Sequence, residues 1–387
     1  MDVKLLFDRV PSVVVDKDFD SHSLYQAIHI NADKVPDLDN IDIAIIGVVD
    51  GRAIADDNNV SEAANEVRKH LYKLKKGKTT YRIADLGNLR VGHDLDETKS
   101  RLSELLNSLH DKDILPLIIG GTHDFDVAQY QSYEMSEKLV SILNVDALVD
   151  MSDTDTSAPD ANHIHDILLH EPNFLFDYIH LGYQSYLVPV NSLEVLEKLN
   201  FNLIRLGKMR DKPKEVEPAI READMMSFDL SAIQSSAMKA THNPMSFGLT
   251  GEEASQIAWY AGSSDKLSSA GFYGYDPLLD DERKSSAFVV GVMVWYFIEG
   301  YYNRKDRHDF STKHYIKYIV SLAAQDPGQI IFYKSSKSDK WWMELPFQSS
   351  KSLYSRNYVV PCSYEDYTAA GKGDVPDRWV SAYAKLS

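Results

Sequence analysis

From residue 41 to residue 301 the chain alternates between short apolar runs and longer stretches of helical periodicity. Ile41–Val49, Thr79–Leu86, Ile114–Ile119, Leu139–Val145, Met225–Asp229 and Leu267–Tyr273 are rich in aliphatic and β-branched residues, and predict buried strands. His180–Val188 and Leu203–Leu206 predict two more. Between them, Ser61–Leu74, Glu97–Asp111, a segment running through Tyr133, Pro218–Ala223, Glu252–Ala261 and Arg283–Tyr301 predict helices, with Ser61 capping the first. Strands alternating with helices imply an α/β fold, a mainly parallel sheet covered on both faces.

The ends differ from this middle. Residues 1–40 predict an irregular arm with one short helix near Ser23–Ile30, ahead of an α/β domain over 41–325. Residues 326–387 predict an extension packed on that domain. There Gln329–Tyr333 and Trp341–Leu345 flank a Lys/Ser-rich turn as a hairpin, and Asp377–Lys385 forms a closing helix. Trp341, Trp342 and Trp379 are expected to pack it in place.

Composition narrows the classes of function. With 41 Lys+Arg against 58 Asp+Glu among 387 residues, the formal charge is −17. So acidic a surface argues against nucleic-acid or anionic-membrane partners. Cys362 is the single cysteine, so internal disulfides and cysteine metal clusters are excluded, and a reducing, cytoplasmic setting is expected. The first residues lack the apolar core of a signal peptide. The longest apolar run, Ala287–Ile298, is shorter than the roughly 20 residues needed to cross a bilayer, and predicts a buried helix.

The chemistry collects where strands stop. Leu139–Val145 runs into Asp146 and Asp150; Ile114–Ile119 stops at Gly120-Gly121-Thr122-His123; Met225–Phe228 stops at Asp229. Open α/β sheets place their sites just past the carboxyl ends of strands, and a glycine pair lets the backbone turn sharply beneath a histidine. Aspartate is also common in ordinary turns, and a lone loop histidine is commonly a surface residue. Brought together, one imidazole and three carboxylates make an oxygen-rich site that suits manganese or magnesium better than structural zinc. Without a cation, three close carboxylates do not all ionise cheaply.

Three motifs in order, Gly120-Gly121-Thr122-His123, Asp146-Ala147-Leu148-Val149-Asp150 and Ser227-Phe228-Asp229-Leu230-Ser231, resemble those of the ureohydrolase superfamily of arginases, agmatinases and formimidoylglutamases. Gly248-Leu249-Thr250 resembles the family's Gly-Leu-Thr segment. The likeness covers roughly residues 40–310. Length, the C-terminal extension and Ser231 look most like a formimidoylglutamase-like branch of Bacteroidetes. The resemblance implies an arginase-type three-layer sandwich. It also implies a pair of manganese ions that activate a shared water against an amidine or guanidine carbon. By resemblance His123, Asp146, Asp150 and Asp229 hold the first ion. The second ion's own ligands fall at Leu148 and Ser231, and the glutamate that holds the substrate's cationic group falls at Gly274. None of these three keeps the family's residue.

The expectation is therefore a degraded dimanganese site with at most one Mn2+, or none. It serves a weak hydrolase of formimidoylglutamate or a similar amidine C–N bond, or a non-catalytic ligand-binding or regulatory relative. A small amidine or guanidine-like molecule is the expected partner, and homo-oligomers are the family's habit. His163 sits in the variable loop where arginases carry a proton-shuttling histidine, and reads otherwise as a surface residue; His165 is the other candidate. Asp153 and Asp155 are candidate replacement ligands.

Overall fold

Seen in the computed structural model, the apolar runs become the strands of one sheet. Described are residues 5–15, 19–53, 62–136, 138–151, 159–306, 310, 313–322, 327–346 and 359–386. The strands of the large sheet are β1 (Phe7–Asp8), β2 (Ile28–Ile30), β3 (Ile43–Val48), β4 (Ile83–Leu89), β5 (Leu115–Gly120), β6 (Val140–Val145), β7 (Leu175–Leu181), β8 (Asn202–Ile204), β9 (Met225–Asp229) and β10 (Ser269–Tyr273). Their order is β1-β4-β3-β5-β10-β9-β6-β7-β8, with β2 pairing β4. The pairings from β4 through to β8 are parallel, and β1 runs antiparallel against β4. The amino-terminal arm thus adds two short strands to the sheet.

Alternation along the strands explains the layers. Ile43, Ile45, Leu117 and Ile119 pack on one face with Val290, Met293, Val294 and Phe297 of the helix Ser285–Tyr302. Ala44, Ile46 and Ile118 pack on the other with Leu102, Leu105, Leu106 and Leu109 of the helix Leu95–His110. That is a helix–sheet–helix sandwich, the α/β architecture implied by the pattern. The Gly-Leu-Thr segment opens the helix Gly251–Gly262. The Thr250 hydroxyl accepts from the Glu253 N–H at 3.1 Å, and the Glu253 carboxylate accepts from the Thr250 N–H at 2.8 Å. Among the described residues, no helix is long and apolar enough to cross a membrane.

The two strands furthest from their predicted bounds, β4 and β7, both carry buried polar residues. β4 runs to Leu89 rather than ending at Leu86, with Asp85 inside it fully buried. Arg68, itself fully buried on the helix Ala63–Leu71, donates to both Asp85 oxygens at 2.8 and 2.9 Å and to Asn88 Oδ1 at 2.5 Å. β7 covers Leu175–Leu181 rather than 180–188 and contains buried Asp177 and His180, with Lys385 2.6 Å from Asp177. Polar residues with partners inside the fold interrupt an apolar pattern without interrupting the strand.

The carboxyl-terminal region is a four-stranded antiparallel sheet, β11 (Tyr315–Ser321), β12 (Gln329–Ser335), β13 (Trp341–Glu344) and β14 (Val359–Cys362), paired in that order. It begins ahead of residue 326 and contains the predicted hairpin. Trp341, Trp342 and Trp379 are all buried. Arg221 of the sandwich stacks over the Trp342 ring at 4.4 Å and donates to the carbonyls of Trp341 and Cys362.

Candidate metal centre

β5, β10, β9 and β6 are consecutive neighbours, all parallel, so their carboxyl ends open on one crevice. At the end of β5 the glycine pair makes the turn. Gly120 and Gly121 hold φ of +91° and +78°, and a Cβ on Gly120 would lie 2.6 Å from the Val48 carbonyl oxygen. No other residue fits that turn without moving β3, and it aims His123 inward, 4 % exposed.

The imidazole of His123 sits at the middle of the group. Its Nδ1 lies 3.4 Å from Asp146 Oδ2, 3.4 Å from Asp229 Oδ2 and 3.8 Å from Asp150 Oδ2. The four residues named from the sequence therefore meet in one place. His163 joins them. It opens the helix His163–Leu169, is fully buried, and its ring centre lies 4.2 Å from that of His123. One ligand atom each from His123, Asp146, Asp150 and His163 lies within 4.8 Å of the others. His165, two residues on, is exposed. Asp153 and Asp155 lie outside the described residues.

Sequence reasoning missed Asp126, buried on the helix Phe125–Gln131. Its Oδ1 is 2.9 Å from His163 Nδ1, and its Oδ2 accepts from the Ser227 hydroxyl at 3.2 Å. Ser227 in turn is 2.9 Å from His123 Nε2. The spacing of three residues from His123 was the one available signal, and helix interiors carry many such aspartates. Asp124, by contrast, is held away by an ion pair with Lys99 at 2.6 Å.

Burial and crowding set the charges. Burial raises Asp146, Asp150 and Asp229 raise it further, and its pKa reaches about 7. Burial works against protonated His163, but the Asp126 charge outweighs it and lifts the pKa to about 9. Burial likewise opposes the charged form of His123, and Asp146 and Asp229 override it, holding its pKa well above the usual value. His123 Nδ1 and Asp146 Oδ2 are buried and make no hydrogen bond, although they face each other at 3.4 Å. Two buried donors facing one space, with further carboxylates around them, fit a divalent cation.

These shifts give a signed expectation for the metal-free protein. Unfolded, Asp146 and His163 titrate near 3.8 and 6.5; folded, near 7 and 9. Each holds its proton more tightly in the folded state, so the stability it contributes is lost as pH rises through the folded value. In EDTA, stability should fall by on the order of 2 kcal/mol between pH 7 and 9. With Mn2+ the slope should flatten or reverse, because ligands bind deprotonated. Thermal melts across this range check it; a melting point that rises with pH in EDTA would count against these protonation states.

The other three positions are also visible. Leu148, half-buried, donates its N–H to Asp146 Oδ1 at 3.0 Å, and Ser231 donates its N–H to Asp229 Oδ1 at 2.6 Å. Gly274 holds φ of +88°, and a Cβ there would lie 3.1 Å from Asp229 Oδ1.

Solved structures share this fold. A formiminoglutamase of Trypanosoma cruzi with Mn2+ is 18% identical, at a TM-score of 0.63 over 70% of this chain and 96% of its own. The formimidoylglutamase of Bacillus subtilis is 18% identical, at 0.65 over 75% and 94%. The agmatine ureohydrolase of Thermoplasma volcanium is 16% identical, at 0.59 over 74% and 96%. A comparison with curated proteins found no match in sequence. Residues 41–299, the span that holds the sandwich and every residue of the crevice, match the model of the arginase family, and the chain belongs to that family.

Proposed function

We propose that the crevice binds one divalent ion, Mn2+, through His123, Asp146, Asp150 and Asp229, beside a small amidine or guanidine-like molecule, and that it is at best a slow hydrolase of the amidine C–N bond. One observation carries this reading. The two carboxylates placed to bridge a pair of ions, Asp146 and Asp229, each spend one oxygen on a backbone N–H and turn the other toward His123 Nδ1. The N–H groups belong to Leu148 and Ser231, whose side chains offer no imidazole and no carboxylate for a second ion.

A bound ion would supply Lewis acidity toward water or an amidine. The chain's own part is to hold that ion at the carboxyl ends of three strands, β5, β6 and β9, with Asp126 and Ser227 fixing the His123 ring. Acidic groups around the crevice, Asp160 and Asp229 among them, favour a cationic headgroup over an anionic one.

A non-catalytic, ligand-binding role is the second reading, and Gly274 favours it. A side chain at its φ of +88° costs about 1–2 kcal/mol, and the Cβ would crowd Asp229. The family's glutamate thus has no relaxed place here.

The single-ion reading is tested by restoring the lost ligands. Leu148→His combined with Ser231→Asp should raise bound manganese from near one to near two per chain by elemental analysis. Either change alone should leave it near one, because a bridged pair needs ligands on both sides. A double variant that stays at one ion would show that something other than these two side chains excludes the second.

A further inference from the structure

Two imidazoles, not one, each turn one nitrogen toward the carboxylates, and Asp126 holds both, His163 directly and His123 through Ser227. An ionised carboxylate only accepts. The Ser227 hydroxyl, 3.2 Å from Asp126 Oδ2, therefore gives its single proton to Asp126. That leaves the Ser227 oxygen to accept from His123 Nε2–H at 2.9 Å, so the lone pair of neutral His123 is on Nδ1, the atom facing Asp146, Asp150 and Asp229. The same rule fixes the second ring. His163 Nδ1 must donate to Asp126 Oδ1 at 2.9 Å, so the lone pair of neutral His163 is on Nε2, which lies 3.3 Å from Asp150 Oδ2.

We propose that His163 is a ligand of the ion, supplying through Nε2 the second imidazole that Leu148 does not, and that Asp126 is the positioning residue for both histidines. This rests on the single-ion reading above and adds the identity of one ligand. Neighbouring ligands at ordinary bond lengths around one small divalent ion lie about 3 Å apart. The separations here, 3.3 Å for His163 Nε2 to Asp150 and 3.4 Å for His123 Nδ1 to Asp146 and to Asp229, need only slight contraction. A carboxylate that receives the far N–H of a ligating histidine is the usual outer partner of a metal-bound imidazole. A proton-shuttling role fits less well, since His163 is fully buried and both of its nitrogens face carboxylates. Two nitrogen ligands also set the cation class. They favour a transition-metal ion such as Mn2+ over Mg2+, which takes oxygen ligands.

The wild-type protein itself carries the test. Loaded with Mn2+ and measured by pulsed EPR, it should show nitrogen couplings from two imidazoles, and Mg2+ should fail to displace the manganese. In titrations followed by the free-Mn2+ EPR signal, Asp126→Asn and His163→Leu should each weaken binding by about 10- to 100-fold or more while the fold, read by circular dichroism, is kept. A bound ion with couplings from one imidazole, displacement by Mg2+, or an unchanged affinity in folded His163→Leu would overturn His163 as a ligand and leave the single-ion reading standing. Absence of any bound Mn2+ in the wild type would overturn both. If neither variant folds, the nitrogen count in the wild type decides alone.

Discussion

Supplied with Mn2+, the protein is expected to release formamide or ammonia from formimidoylglutamate and related amidines either not at all or at least on the order of 10²-fold more slowly than an ordinary enzyme. The basis is a count of electrostatic stabilisers. Hydrolysis of an amidine builds charge at a tetrahedral carbon, and removing one preorganised stabiliser typically costs about 10²- to 10³-fold. Two are missing by side chain alone. The Leu148 and Ser231 side chains offer no imidazole or carboxylate for a second ion, and their backbone N–H groups each occupy one oxygen of Asp146 and of Asp229. By resemblance to the family, the position for a substrate's cationic group falls at Gly274, whose backbone conformation disfavours any side chain. A coupled assay for ammonia and a direct assay for formamide, run across several amidines, read the result. Turnover at an ordinary enzymatic rate would mean that groups beyond the crevice residues named here complete the site.

The second large effect concerns the fold. Arg68→Met should destabilise the protein by about 3–5 kcal/mol. Arg68 and Asp85 are both fully buried, and Arg68 also donates to Asn65, Gly87 and Asn88, while the Tyr72 hydroxyl donates to Asp85 at 2.8 Å. Methionine fills much of the same volume but leaves the Asp85 carboxylate buried with no cation. Asp85→Asn should cost a similar amount, since it leaves the equally buried Arg68 guanidinium with no anion, and arginine cannot shed its charge. Urea unfolding of the three proteins measures this. A loss under about 1 kcal/mol for Arg68→Met would place the pair among ordinary surface bridges and contradict its burial.

The strands that carry the centre were legible because they are apolar runs with abrupt ends. β5, β6 and β9 are buried along nearly their whole length, so their composition is nearly pure and their stops at Gly120, Asp146 and Asp229 stand out. β4 and β7 were blurred because Asp85, Asp177 and His180 lie inside them, each partnered by residues distant in sequence. The convergence of His123 with three aspartates followed from parallel strands ending on one side of a sheet. The place of Asp126 and of His163 did not. His163 reaches the cluster through a helix start, and Asp126 through a turn of helix after the glycine pair. Neither position is marked by periodicity, since a polar residue on a buried helix face reads in sequence as an ordinary break in the apolar stripe.

One ion, held by His123 and three aspartates at the ends of β5, β6 and β9, is a matter of stoichiometry. Protein purified, stripped with EDTA, reloaded with excess Mn2+ and freed of unbound metal should carry close to one manganese per chain by elemental analysis. A value close to two would contradict the account, and a value close to zero would remove the metal from it.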